Sequence, residues 1–117
     1  MPNSSAASDL FFTEATATRK VYAFLSGGQH LVFEVGEKEA IPFWSSRNRI
    51  KTIQKVNPDF GPYEVKEFSL GHFSGIVLPG LQEAGVWVGS NWDGRPPEGF
   101  VYPSDEFGAL LEAARPA

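Results

Sequence analysis

The chain has 117 residues, 42% of them hydrophobic and 14% aromatic, with a formal net charge of −4 at pH 7; this is the profile of one packed domain, not of a disordered segment. The negative balance argues against general attraction to nucleic acid or anionic membrane, and the lack of any cysteine excludes disulfides, thiol catalysis and thiolate metal sites. No apolar run approaches the ~18 residues of a membrane span, the first residues have neither the positive charge nor the apolar stretch of a secretory signal, and a cytoplasmic protein is the simplest reading.

Residues 1–8 are small and polar and are expected to form a disordered N-terminal segment, leaving a single domain over 9–117. Asp9 can cap a helix from Leu10 to about Thr18, with Phe11, Phe12 and Ala15 as its apolar side. Residues 21–25 and 31–35 are β-prone and flank Gly27-Gly28, a hairpin signal because glycine accepts the positive φ angles of tight turns. A second turn at Gly36-Glu37-Lys38 leads to a strand over 40–43, so the three strands are expected to form an antiparallel meander. Ser45 or Ser46 can cap a second helix reaching about Val56, in which Ile50, Ile53 and Val56 face one way and Arg47, Lys51 and Lys55 the other. Breakers crowd 57–62, and 63–68 alternates as a strand.

The stretch 68–92 reads as a helix feeding a buried strand. Ser69 suits an N-cap, Leu70, Phe73, Val77, Leu81 and Ala84 recur at three- and four-residue steps, and Gly85 suits a left-handed C-cap. Pro79 lies inside that helix, which is expected to kink or restart there. The β-prone run over 86–92 then pairs with 99–102 across a loop containing Asp93-Gly94-Arg95-Pro96-Pro97. Pro103-Ser104-Asp105-Glu106 opens a final helix buried through Phe107, Leu110 and Leu111. Segregated strands and helices of this order predict an α+β domain, a mainly antiparallel sheet of five to six strands packed by four helices.

I-P-F-W-S-S at 41–46, E-F-S-L-G-H-F at 67–73, L-P-G-L-Q-E-A-G-V-W-V-G at 78–89 and the helix after V-Y-P-S-D-E-F are together similar to a small bacterial domain-of-unknown-function family, number 2750. The likeness runs from about Arg19 to Glu112. It implies a compact α+β fold and no particular activity.

Chemical motifs are sparse. His30 and His72 have no ligand-spaced neighbour, and His30 beside Gly-Gly reads as an exposed turn residue. Ser74 lacks the flanking glycines of a hydrolase elbow, and no phosphate-binding glycine motif joins a strand to a helix. Neither a cofactor nor a metal is expected. The acids Glu34, Glu37 and Glu39, like Glu64 and Glu67, read as solvated charge.

Two surfaces stand out. Between 40 and 58 there is no acid, while Arg47, Lys51 and Lys55 follow Trp44. Trp92 and Arg95 belong to the Pro-rich loop, and Trp and Arg are favoured at binding hot spots. The expected function is a non-enzymatic accessory or protein-interaction module whose partner, another protein, meets Trp44, Arg47, Lys51 and Lys55 or Trp92 and Arg95. One alternative is a small-molecule binder or hydrolase with a carboxylate and His72 in a pocket. A second is weak nucleic-acid binding through the basic helix 47–55, by phosphate contacts and stacking.

Overall fold

Two sheets that meet at Trp44 carry the architecture; a computed structural model describes residues 4–94 and 98–115. In the first sheet the order is β2-β1-β5, with β1 (Lys20–Ser26) central between β2 (Gln29–His30) and β5 (Glu64–Ser69). Val21, Tyr22, Ala23 and Phe24 are all buried, as a strand covered on both faces requires. Gly27 and Gly28, at φ 61° and 83°, make the tight β1–β2 turn. The second sheet has the order β3-β4-β6-β7: β3 (Phe33–Val35), β4 (Lys38–Phe43), β6 (Trp87–Ser90) and β7 (Val101–Tyr102).

The expected α+β domain therefore forms, but its strands divide between two sheets and one pairing, β4 with β6, is parallel. The segment between those two strands supplies the long crossover that parallel neighbours need. The expected meander does not form as one unit. Leu25 pairs with His30, and a longer β2 would continue toward Tyr22 on the same edge of β1. At Tyr22 that edge is taken by Trp44, whose N–H and C=O both bond to Tyr22 at 2.8 Å. The chain leaves the first sheet after His30 and enters the second at Phe33, so the strand expected over 31–35 is split.

Alternation along the strands builds a core on each side. Val21, Ala23, Ile41, Phe43 and Val88 face Phe11, Phe12, Phe73, Leu78, Phe107 and Leu111, which come from α1 (Ser4–Thr18), the helical segment after β5, and α5 (Ser104–Ala113). Tyr22, Phe24, Ala40, Trp44 and Trp92 face Ile50 and Ile53 of α2 (Arg47–Val56). Ser46 caps α2 by accepting from the Arg49 N–H at 3.2 Å. α1 begins at Ser4, upstream of the expected Asp9 cap, and places Ser8 in the core, where its Oγ hydrogen-bonds the Ser90 Oγ and, at 2.8 Å, the Tyr102 hydroxyl.

Ser69 caps the helical segment after β5, accepting from the His72 N–H at 3.1 Å. One α-helical turn, α3 (Leu70–His72), widens into a π stretch (Phe73–Val77) and continues as α4 (Leu78–Ala84). Pro79 stands at the start of α4, where the expected restart places it, although the helical backbone runs into α4 through the π stretch without a break. The Leu78 N–H reaches back five residues to the Phe73 carbonyl, and this wider turn accommodates a proline ring that would otherwise press on the preceding turn. At the far end Gly85 adopts φ 72°, and the Gly85 and Val86 N–H groups bond to the Gln82 and Leu81 carbonyls at 3.1 and 2.9 Å, a Schellman closure.

Candidate functional site

Where β4 hands over to α2 and β6 to its loop, the two chain segments are stitched together by buried polar groups. Asn91 turns the chain out of β6 at φ 50°, a left-handed conformation that asparagine tolerates better than most residues. Its Oδ1 accepts from the Ser45 N–H at 2.9 Å and its Nδ2 donates to the Ala7 carbonyl at 2.9 Å. The Trp44 indole N–H donates to the Trp92 carbonyl at 2.8 Å, and that of Trp92 to the Phe100 carbonyl at 3.1 Å. Gly89 and Gly99 make room for the Trp92 ring: a Cβ on either would lie 2.4 or 2.7 Å from indole atoms.

Beside this stitch, α2 and the loop after β6 enclose a cleft of about 310 Å³ lined by Trp44, Asn48, Arg49, Thr52, Ile53, Asn91, Trp92 and Asp93. Arg49 is held by both oxygens of Glu14, from Nε at 2.9 Å and from an Nη at 2.7 Å, and Ser45 Oγ donates to the same carboxylate at 2.6 Å. The Arg49 hydrogen bond is the main reason that the Glu14 pKa lies below its ordinary value, against the opposing effect of burial. Arg49 is raised in turn, chiefly by Glu14 and to a lesser degree by the charge of Asp93. The loop is tied at both ends: Asp93 and Glu98 exchange backbone hydrogen bonds at 3.2 and 3.0 Å, and Asn57 at the end of α2 donates to the Gly94 carbonyl at 3.1 Å. Asp93 Oδ1 is buried and has no hydrogen-bond partner among the described residues.

The residues singled out in the sequence distribute unevenly over this site. Trp44 and Trp92 are 1% and 2% exposed, so they form the floor of one shared cleft and not two separate exposed aromatics. Arg47, Lys51 and Lys55 are exposed along the outer face of α2. Arg47 leans on Glu67 at 3.3 Å and lies over the Tyr22 ring at 5.6 Å; among the described residues Lys51 and Lys55 have no ion pair. Arg95 lies outside the described residues. Asn48 and Thr52 follow Arg47 and Lys51 by one position, about 100° round the helix, so the basic stripe adjoins the cleft mouth. Sequence reasoning passed over Glu14 and Asn91; Asn48, Arg49 and Thr52 lie within the basic helix 47–55 that it singled out, but it did not name them as site residues.

The histidines stand elsewhere. His30 is half-buried and not an exposed turn residue: its ring packs 5.5 Å from Phe43 and 5.7 Å from Phe68. Burial lowers its pKa. His72 is exposed and its ring stacks on Phe68 at 6.0 Å, and among the described residues no carboxylate hydrogen-bonds to it. A pocket combining His72 with an acid is therefore not assembled there.

Residues 8–111 match the family model described as "Protein of unknown function (DUF2750)". The chain belongs to this family. No curated protein matches it. The DUF2750 match spans the elements from the end of the first turns of α1 to α5, and so includes every residue of the cleft. Among the described residues no helix is long and apolar enough to cross a membrane, and no three His, Asp or Glu side chains converge as metal ligands.

Proposed function

We propose that this protein is a non-enzymatic interaction module that docks a partner protein across the outer face of α2 and the cleft beside it, in the cytoplasmic setting that its cysteine-free sequence suggests. The observation that carries the reading is the adjacency of two features: an exposed lysine stripe with no internal acid of its own, and a preformed concavity braced by the Glu14–Arg49 pair. Bracing matters because a partner then meets a fixed surface and loses less ordering entropy on binding. Lysines at the rim favour a partner that is acidic where it meets Lys51 and Lys55, and charge complementarity of this kind sets encounter rate and specificity. Nucleic acid fits the same stripe less well, because Trp44 is buried and leaves no aromatic face there on which a base can stack.

The test is affinity capture from the host lysate with three forms of the protein. The unmodified chain and a Lys66→Glu control, altered on the exposed side of β5, are expected to retain the same protein partner. Lys51→Glu/Lys55→Glu is expected to lose it. Retention by all three forms, or capture that disappears on nuclease treatment, would overturn docking through α2.

A further inference from the structure

Among the described residues two that are not glycine have a positive φ, Asn91 at 50° and Arg19 at 63°. Asn91 spends its side chain on the bonds to Ser45 and Ala7, whereas the Arg19 guanidinium has no hydrogen bond or ion pair among the described residues. A left-handed arginine costs conformational energy that glycine would not, and such strain concentrates at binding sites. Arg19 stands where α1 ends: its N–H bonds the Ala15 carbonyl at 2.7 Å, and its C=O accepts from the Leu70 N–H at 2.9 Å. From there it lines two hollows of about 120 and 240 Å³, and Leu70 and Arg115 line both with it. Ser74, in the π stretch, lines the smaller one, and among the described residues its hydroxyl has no hydrogen bond. Arg115 bonds both oxygens of Glu112 through a single Nη, at 3.1 and 3.2 Å, so the N–H groups on its Nε and other Nη are not used by that pair. The walls are tied together, since Thr16 of α1 donates to the Ala114 carbonyl beside Arg115 at 3.3 Å.

We propose that this site, which shares no residue with the α2 cleft, binds a phosphate group, carried by a small-molecule monoester or free in solution. Two guanidinium forks match the oxygens of a phosphate and its charge of about −1.5 to −2 at neutral pH, and the Ser74 hydroxyl adds a third kind of donor. A carboxylate ligand brings half that charge. Glu112 is the one acid lining the hollows among the described residues, and its charge is already engaged by Arg115. Leu70 and Leu111 add an apolar wall on which the substituent of a monoester can lie. The widened turn that carries Ser74 belongs to a class of helix irregularity found often at functional sites.

The experiment is a titration of the ¹⁵N-labelled full chain with sodium phosphate and phenyl phosphate, and with sodium acetate and phenol as controls, at neutral pH and constant ionic strength. Both phosphates are expected to move the Gly71 and Ser74 amide resonances along saturable curves, and the controls are not. Tighter binding of phenyl phosphate would assign the site to a monoester, and equal binding to free phosphate. Arg115→Gln, at an exposed position, should weaken phosphate binding about tenfold or more, the loss expected for one charge-assisted contact of ordinary strength. Arg19→Gly should weaken it as much while melting no lower than the unmodified chain, because glycine accepts a φ of 63° without strain. That pair of readouts separates a lost ligand contact from a damaged fold. Lys51→Glu/Lys55→Glu, on α2, should leave the affinity within about twofold, since exposed charges at a distance are screened. No saturation by either phosphate, equal binding of acetate, unweakened binding in Arg19→Gly and Arg115→Gln, or an equal loss on lysine reversal would overturn the site.

Discussion

Glu14 and His30 give the molecule two separate pH responses, each set by what the side chain touches. Glu14 has its pKa held down by Arg49, so the folded state binds that proton less readily than the unfolded chain. The stabilisation is full above the ordinary carboxylate range and is lost as pH falls through the lowered folded pKa. Both partners are about one-third exposed, so solvent screening reduces the pair's worth; Glu14→Gln is expected to cost about 1–2 kcal/mol at pH 7. Urea denaturation should show that deficit shrinking toward zero in acid. His30 works in a higher window. Burial lowers its folded pKa below the ordinary 6.5, so the unfolded chain takes up the proton first and stability falls as pH drops through about 6.5. Melting curves between pH 8 and pH 5 should therefore flatten in His30→Phe, which keeps the ring packing against Phe43 and Phe68 and removes the titration.

Within the elements, glycines separate into those that the fold demands and those that it does not. A Cβ on Gly89 would lie 2.4 Å from the Trp92 indole, so Gly89→Ala must push the tryptophan off its strand and is expected to cost at least 1–3 kcal/mol, the usual range for overpacking. The loss should be visible as a shifted Trp44 indole N–H resonance, because that group donates to the Trp92 carbonyl. Gly80 lies in α4 at a helical φ, and a Cβ there meets nothing within 4 Å. Gly80→Ala should accordingly raise stability by about 0.5–1 kcal/mol, read as a higher denaturation midpoint. Caps were readable from local letters alone. Ser46, Ser69 and Gly85 each serve the end that the sequence assigns to them, since a cap is satisfied within four residues and needs no tertiary partner. The π stretch was not readable: the sequence placed a kink or restart at Pro79, which does open α4, but the adjustment that admits the proline spreads over Phe73–Val77.

At the scale of the whole molecule Trp44 is the joint. Its backbone pairs with Tyr22 of the first sheet, its ring fills the core beneath α2, and its indole N–H fixes the loop that forms the far wall of the cleft. Trp44→Ala is expected to cost about 3–5 kcal/mol, a large share of the roughly 5–15 kcal/mol that holds a domain of this kind together. Loss of a cooperative thermal transition in that variant would be the sign that both sheets depend on the one residue.

The sequence by itself determined most of the helices and strands, the Ile50/Ile53 face of α2 and the Phe107/Leu111 face of α5, the caps at Ser46, Ser69 and Gly85, and the family, because periodicity and capping are local properties of the chain; Val56 and Leu110, expected on those buried faces, are exposed. Tertiary structure alone decided that the strands form two sheets, that β4 runs parallel to β6, and that two tryptophans 48 residues apart in sequence share one cleft floor. It also decided which acids matter. Nothing in the letters around Glu14 or Asp93 separates them from the solvated acids of the hairpins. Their character comes from neighbours that the fold supplies, an arginine 35 residues away for one and, for the other, a buried Oδ1 with no hydrogen-bond partner among the described residues. Long-range pairing is a contest among many alternatives that differ in loop closure and burial, and a single sequence does not display its outcome.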